Sequence, residues 1–142
     1  MSPLNFLALI AAIPVLATVW QVIAQRRRRR LVYQLARQWR MHYSPNDRFR
    51  LAERMADHFP MVGAADLLVH DVIYGLQHEH YRYVFTIDYT EGVVRTKRRR
   101  SRVVAFAEPR ERLPAAPATA LKLAAESGSL REQYEDAARA FA

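Results

Sequence analysis

The sequence predicts an α+β protein: one N-terminal transmembrane helix, then a small cytoplasmic domain in which helices pack on a three- or four-stranded antiparallel sheet. Three observations support this prediction. Residues 1–25 carry no charged side chain, residues 26–30 are all arginine, and aromatic and polar residues alternate over residues 81–89. A length of 142 residues suffices for one domain and one additional segment.

Residues 1–25 are predicted to form the membrane helix. Their apolar core, residues 4–24, has about 20 residues, which as a helix spans roughly the 30 Å hydrocarbon core of a bilayer. A cleaved signal peptide has a basic beginning, and this segment has none. A buried core helix is usually shorter and apolar on one face, whereas this segment is apolar all round. We therefore expect a membrane span.

The arginines predict the orientation of this span, because positively charged residues remain in the cytoplasm. The N-terminus is expected outside and the rest of the chain inside, at the inner membrane of a bacterium. Trp20 suits the interface, where aromatic rings favour the headgroup level. The residues predicted to set the interface and topology are Trp20, Arg26, Arg27, Arg28, Arg29 and Arg30.

Two helical segments are expected next. Arginine is a good helix former, so residues 26–43 are predicted to be a basic juxtamembrane helix. Ser44 is a candidate N-cap for a second helix, with Pro45 at its first position and Pro60 at its end.

A β-meander is expected to follow, so that residues 44–113 form a helix plus an antiparallel sheet. Residues 66–75, 80–89 and 102–109 are the predicted strands, and residues 93–96 are a possible extension of the second hairpin. Tyr81, Tyr83 and Phe85 are expected to face the core, with helices covering one face of the sheet.

Residues 114–142 are predicted to form an alanine- and proline-rich connector followed by an amphipathic helix. Within the connector region, residues 121–126 suggest a short helix. Ser129 and Glu132 have the spacing of a capping box at the start of the last helix. Its apolar stripe consists of Leu130, Tyr134, Ala137 and Phe141.

The net charge of +8 resides in two clusters. Without the arginines of residues 26–30 and the six basic residues of 95–102, eleven basic residues oppose 14 acidic ones, so a generally basic nucleic-acid-binding domain is disfavoured. The glycine-containing motif of RNA-binding sheets is also missing. The second cluster is predicted to be an exposed loop that contacts a protein partner or anionic lipid through Arg95, Lys97, Arg98, Arg99, Arg100 and Arg102.

No catalytic signature is present. The chain has no cysteine and four glycines, and it contains no phosphate-binding loop, dinucleotide fingerprint or G-x-S-x-G motif. His78 and His80 are two candidate metal ligands, to which His70 and Asp71 are possible additions, but zinc sites normally need three or four. We therefore expect no enzyme activity, no cofactor and no metal.

These features predict a non-catalytic, single-span accessory or assembly subunit of a larger bacterial inner-membrane complex, with photosynthetic and respiratory complexes as the candidate class. Its expected partners are other integral membrane subunits and anionic lipid headgroups, and no small-molecule substrate is identified. A first alternative is a membrane-tethered binding module whose basic loop engages anionic lipid or RNA. A second is a metal-dependent enzyme at the histidine pair.

Overall fold

The protein is an α+β structure in which a long apolar helix leads into a five-stranded antiparallel sheet with short helices. The computed structural model describes residues 2–60, 63–92, 95–110 and 120–140. The helices are α1 (Pro3–Gln38), α2 (Leu51–Met55), a short 3-10 helix (Ala56–His58) and α3 (Leu130–Arg139). The strands are β1 (His42–Asn46), β2 (Ala65–Gln77), β3 (His80–Glu91), β4 (Arg98–Pro109) and β5 (Ala120–Leu123).

The strands pair in sequence order, β1-β2-β3-β4-β5, and every pair is antiparallel. A two-residue turn, His78–Glu79, joins β2 to β3, and both of its residues have positive φ. That is the backbone of a type I′ turn, whose twist matches that of the flanking strands. The longest pairing is between β3 and β4, which are in register from His80 opposite Pro109 to Glu91 opposite Arg98.

Both faces of the sheet are buried. One face packs against the C-terminal part of α1 and against α3, with Ile73 and Val84 among the residues from the sheet. The other face packs against α2 and includes Tyr83, Phe85 and Ile87. This differs from the predicted single layer of helices, and the central strands are consequently buried on both sides at residues 83–87.

The alternation predicted for β3 is confirmed, since Tyr83 and Phe85 lie in the core formed with α2. Tyr81 was placed on the same core face but is 41% exposed. It lies near the β2–β3 turn, beyond the helices that cover the sheet. The polar positions between these aromatic residues face α1 and α3, which is why Thr86 is buried as well.

Helix α1 has two distinct parts. Residues 2–27 are exposed on every side, and within the described chain this is the one helix long and apolar enough to cross a membrane. The last three turns, by contrast, bury Val32, Leu35 and Ala36 against the sheet. The helix ends at Gln38 rather than continuing to about residue 43, because the chain turns there and enters β1 at His42.

The predicted start of the second helix at Ser44 is wrong. Ser44 and Pro45 lie in the edge strand β1, where a proline is tolerated because one side of the strand needs no donor. The helix begins at Leu51, and the Asp47 carboxylate accepts hydrogen bonds from the backbone N–H groups of Leu51 and Ala52 at 2.8 and 3.1 Å.

Two further predictions need correction. The sheet has five strands rather than three or four, because β1 and β5 were not recognised. A short helix was expected at residues 121–126, but residues 120–123 form β5 and pair with β4 from Val104 to Ala107. The possible strand extension at residues 93 and 94, the connector at residues 111–119 and Phe141 lie outside the described residues.

The capping box of the last helix is confirmed. The Ser129 hydroxyl accepts a hydrogen bond from the Glu132 backbone N–H, and the Glu132 carboxylate accepts one from the Ser129 N–H. Tyr134 and Ala137 from the predicted stripe are buried against the sheet. Helix α3 therefore belongs to the core of the domain.

Candidate functional site

A buried carboxylate lies where α1 crosses the sheet. Asp71, 3% exposed, sits in β2 at an irregularity in the pairing between His70 and Ile73. Its φ is +53°, in the left-handed region that residues other than glycine rarely adopt. Such backbone strain persists where surrounding contacts enforce it, and it is concentrated at functional sites. Asp71 is therefore the starting point for a site.

Three side chains surround the Asp71 carboxylate. The Tyr43 hydroxyl donates a hydrogen bond of 2.8 Å to Oδ1. His70 Nδ1 lies 3.1 Å from Oδ2, and Arg28 Nε lies 3.5 Å from the same oxygen. These partners come from α1, β1 and β2, so a single carboxylate joins the helix to two strands.

His70 extends the cluster to β3. Its Nε2 lies 3.1 Å from Asp88 Oδ2, so both ring nitrogens of His70 are bonded to carboxylates. The Ser101 hydroxyl donates to the other oxygen of Asp88, which ties in β4. Since carboxylates only accept hydrogen bonds, the form of His70 that satisfies both contacts is the doubly protonated imidazolium.

Tyr134 completes the cluster from α3. Its hydroxyl is fully buried, donates a hydrogen bond of 2.8 Å to the Asp71 backbone oxygen and lies 2.9 Å from Thr86 Oγ1. Because the Tyr134 proton is used on Asp71, Thr86 is the donor in the second bond. The network thereby holds the strained backbone of Asp71 as well as its side chain.

The pKa shifts follow from this arrangement. The pKa of His70 is raised above 6.5, chiefly by the hydrogen bond to Asp71, with burial opposing and Asp88 assisting. Burial alone raises the pKa of Asp71, but the bonds from His70 and Tyr43 outweigh it, so the pKa is lowered. Burial and the adjacent Asp71 raise the pKa of the Tyr43 hydroxyl. The pair therefore favours the ionised states, imidazolium and carboxylate.

This cluster is poorly arranged for acid–base or nucleophilic catalysis. A general base needs a free lone pair, and both His70 nitrogens are engaged by carboxylates. A serine nucleophile is activated by an adjacent histidine, whereas Ser101 donates to Asp88 instead. In the described part of the chain, no group of three or more potential ligand side chains is arranged to hold a metal ion.

A cavity of about 610 Å³ opens beside the cluster. On its helix side lie Gln21, Ala24, Gln25, Arg28 and Arg29, and on its sheet side lie Pro45, Asn46, Asp47, Leu68, Val69, His70, Asp71 and Asp88. The cavity thus forms at the junction between the charge-free part of α1 and the domain. We call it the junction cavity.

Both predicted basic clusters lie at this end of the sheet. Arg28 contacts Asp71, while residues further along α1 pack on Ile73 and Val84. The N-terminal part of α1 therefore extends towards the end of the sheet at which β3 reaches Glu91. Glu91 pairs with Arg98 at the β3–β4 connection. The arginines of α1 and those of β4 therefore point to the same side as the exposed apolar helix.

The second cluster is not a simple exposed loop as predicted. Arg95 and Lys97 are exposed in the β3–β4 connection, but residues 98–102 belong to β4. Arg99 donates to the Asp66 backbone oxygen, and Arg100 lies 3.1 Å from the Glu91 carboxylate. Arg102 donates to the Ala124 backbone oxygen at 2.7 Å. Part of this charge is therefore used within the domain.

The histidine pair lies at the opposite end of the sheet. His78 is in the β2–β3 turn, and His80 Nδ1 is bonded to the His78 backbone oxygen at 2.8 Å. The pair is therefore remote from His70 and Asp71, and the four residues do not form one site. Trp20, predicted at the membrane interface, is exposed.

Tyr43, Thr86, Asp88 and Tyr134 were not identified as site residues from the sequence. The available signal was Asp71, a charged residue directly before the apolar Val72 and Ile73 in a predicted strand. A buried charge is normally paired, so this position requires partners. The sequence does not show which partners, because they are supplied by other elements.

Comparison with known proteins adds no family to this geometry. No family model, no curated protein and no solved structure matches the chain. The functional interpretation therefore depends on the chain itself.

Proposed function

We propose that the protein is a single-span, membrane-anchored accessory subunit of a larger complex in the bacterial inner membrane, with its domain on the cytoplasmic side. The exposed stretch of α1 supports the anchor: its residues 4–24 have the length of a bilayer core, and the arginines that follow favour the cytoplasm. The residues of this stretch contact no core of the domain.

The observation that carries the proposal is the continuity of α1. One unbroken helix joins the exposed apolar stretch to Val32, Leu35 and Ala36, which are buried in the domain. A rigid helix fixes the orientation of the domain relative to the proposed span. Such a connection suits a subunit that holds its domain in a defined position against neighbours, because a flexible linker would lose that orientation.

The proposed non-catalytic role is supported by the hydrogen-bond pattern at Asp71. His70 is held between two carboxylates and Ser101 is bonded to a carboxylate, so the most chemically promising residues are engaged in structural contacts. The cluster instead connects α1, α3 and four strands, which stabilises the junction between the proposed anchor and the domain.

Affinity isolation from native membranes tests this proposal. The tagged full chain is expected to co-purify with other integral membrane proteins, and a chain that always purifies alone as a monomer contradicts it. Ala8 and Ala12 are small and lie one turn apart on the exposed stretch, where close helix packing is possible.

A matched pair of variants sharpens the test. The double substitution Ala8→Phe/Ala12→Phe is expected to reduce the recovery of partners, because bulky side chains prevent close approach. Leu9→Phe/Ile13→Phe places phenylalanine at the same spacing on another side of the helix and is the control. Equal recovery with both variants argues against packing through the alanines.

A second candidate function is a membrane-tethered module whose basic residues bind anionic lipid. It is favoured by the position of β4, since Arg98 and Arg99 lie at the end of the sheet nearest the exposed apolar helix. Each lysine or arginine near an anionic surface contributes on the order of 1 kcal/mol. The surface is then a lipid contact in addition to, or in place of, a protein contact.

Hydrogen exchange on the full chain in nanodiscs tests this second function. Residues 95–102 are expected to be more protected in anionic than in zwitterionic lipid. Salt at 0.5 M is expected to remove the difference by screening, because the Debye length falls from about 10 Å at 0.1 M to about 3 Å at 1 M. The variant Arg98→Gln/Arg99→Gln/Arg100→Gln is expected to lose it.

The control removes three arginines at the other end of the domain: Arg40→Gln/Arg110→Gln/Arg139→Gln. Protection that is equal in both lipids contradicts the lipid function. A gel shift with RNA that disappears in the first triple variant alone would assign the surface to RNA instead.

A further inference from the structure

We propose that the junction cavity binds a phosphate group, namely that of a phospholipid headgroup at the cytoplasmic face of the membrane. This inference rests on the proposal that residues 4–24 of α1 span the bilayer. The ligand class follows from three properties of the cavity: its position, its unused hydrogen-bonding capacity and its lining.

The position of the cavity corresponds to headgroup depth. Its helix side runs from Gln21 and Ala24 to Arg28 and Arg29, which includes the end of the charge-free stretch and the first arginines. If residues 4–24 fill the hydrocarbon core, these residues lie at the boundary where lipid phosphates reside. A volume of about 610 Å³ is in the range of sites for small organic ligands.

The acidic groups of the cavity are already satisfied within the protein. Asp47 accepts from two backbone N–H groups of α2, Asp71 is bonded to Tyr43 and His70, and Asp88 is bonded to His70 and Ser101. Arg28 and the imidazolium form of His70 also offset the charge of Asp71 and Asp88. These carboxylates therefore leave little capacity to attract a cation.

The donors of the cavity are not used to the same extent. Arg29 forms no ion pair with any described residue, and the buried Arg28 Nε finds no hydrogen-bond acceptor among them. Arg28 is paired with Asp71, whereas the adjacent Arg29 is exposed and unpaired within the described chain, so a ligand that bonds to both guanidinium groups must be an anion with several oxygens. Phosphate meets this requirement, because arginine binds it through paired, charge-assisted hydrogen bonds.

The apolar lining accounts for a lipid source of that phosphate. Ala24, Leu68 and Val69 border the cavity, and Leu68 is 54% exposed on the side of the apolar helix. A headgroup held by the arginines can therefore leave its acyl chains along α1 in the bilayer. A free phosphate ion would use the arginines alone.

The test is lipid binding to the purified full chain in a phosphate-free detergent, measured by native mass spectrometry. Phosphatidylglycerol is expected to bind, at one molecule per chain, and diacylglycerol with the same acyl chains is expected not to bind. Arg29→Gln should weaken phosphatidylglycerol binding about tenfold, as expected for loss of a charge-assisted bond. Arg27→Gln, on the same helix but outside the cavity, should change it less than twofold.

A second variant tests the cavity without changing charge. Ala24→Trp places a large side chain in the cavity and is expected to abolish binding, while unchanged thermal unfolding shows that the domain remains folded. Competition by inorganic phosphate would show that the arginines bind phosphate from either source. If inorganic phosphate does not displace the lipid, the acyl chains are required for binding. Both results support the phosphate site.

Three results would overturn the inference: equal binding of phosphatidylglycerol and diacylglycerol, equal weakening by Arg27→Gln and Arg29→Gln, or full binding by a folded Ala24→Trp protein. These measurements use the isolated chain. A chain that recruits no partner subunit from native membranes can still show the site, so failure of the proposed function and failure of this inference are distinguishable.

Discussion

At the scale of single residues, Asp71 determines the character of the junction between α1 and the sheet. Its side chain is bonded to Tyr43 and His70, and its backbone oxygen accepts from Tyr134. A buried carboxylate without such partners would be strongly destabilising. The loss of stability when one partner is removed therefore includes the cost of an unpaired buried charge and exceeds the contribution of one hydrogen bond.

His70→Gln is expected to lower the free energy of unfolding by about 2 kcal/mol near pH 6, because a charged donor shared by two carboxylates is lost. The folded-state pKa of His70 is raised above 6.5, so its extra stabilisation is complete below about pH 6.5 and is lost as pH rises through the folded-state pKa. Unfolding of both proteins from pH 6 to pH 9 should therefore show a shrinking difference.

The matched control for this experiment is His58→Gln, a substitution at an exposed position in the 3-10 helix. It should leave the stability unchanged at each pH. A difference for His70→Gln that stays constant or grows with pH would show that the imidazolium is not the bridging form.

Tyr134→Phe removes a hydroxyl that bonds both the Asp71 backbone and Thr86. Because the two partners remain buried without a substitute, we expect a loss of about 1–3 kcal/mol in the free energy of unfolding. Tyr81→Phe changes a tyrosine that is 41% exposed and should cost almost nothing. Similar losses in the two variants, measured by denaturant titration, would contradict the role of the buried hydroxyl.

At the scale of elements, sequence patterns predicted local geometry correctly where that geometry depends only on residues within the element. The period-two pattern of β3 and the Ser129–Glu132 capping box depend on residues within one strand or one turn, and both are confirmed. Ser44 and Pro45 show the opposite case. Their N-cap and first-turn preferences were overridden, because β1 pairs with β2 at His42, Tyr43, Ser44 and Asn46.

Ser129→Ala is expected to destabilise the protein by about 1 kcal/mol, the usual cost of losing an N-cap side chain. The effect should reach the whole domain, since α3 buries Tyr134 and Ala137 in the core. Ser127→Ala, two residues earlier and exposed, is the control. The measurement is thermal unfolding of the purified chain, and equal midpoints for the two variants would contradict the cap.

At the scale of the whole molecule, both arginine clusters lie at the end of the domain from which the apolar part of α1 extends. The arginines of residues 26–30 and those of β4 lie towards the exposed apolar part of α1, whereas the His78–Glu79 turn lies at the other end. This polarity follows from the register of β3 and β4 and from the contacts of α1. It motivates both the lipid surface and the phosphate site.

The proposed topology can be measured directly, because the chain has no cysteine. Ser2→Cys is expected to react with a membrane-impermeant maleimide in intact cells, since the N-terminus is proposed to lie outside. Ser127→Cys, at an exposed position of the domain, should react only after the membrane is opened. Labelling of Ser127→Cys in intact cells would reverse the proposed orientation.

The sequence by itself determined the features that depend on neighbouring residues: the apolar helix and its arginine boundary, the alternation in β3 and the cap of α3. The tertiary structure alone decided that β1 and β5 complete the sheet, that helices cover both of its faces and that Asp71 is the centre of a polar cluster. Its partners Tyr43 and Tyr134 are 28 and 63 residues distant along the chain. No local periodicity encodes such contacts, because they arise only when separate elements pack and a buried charge must be satisfied.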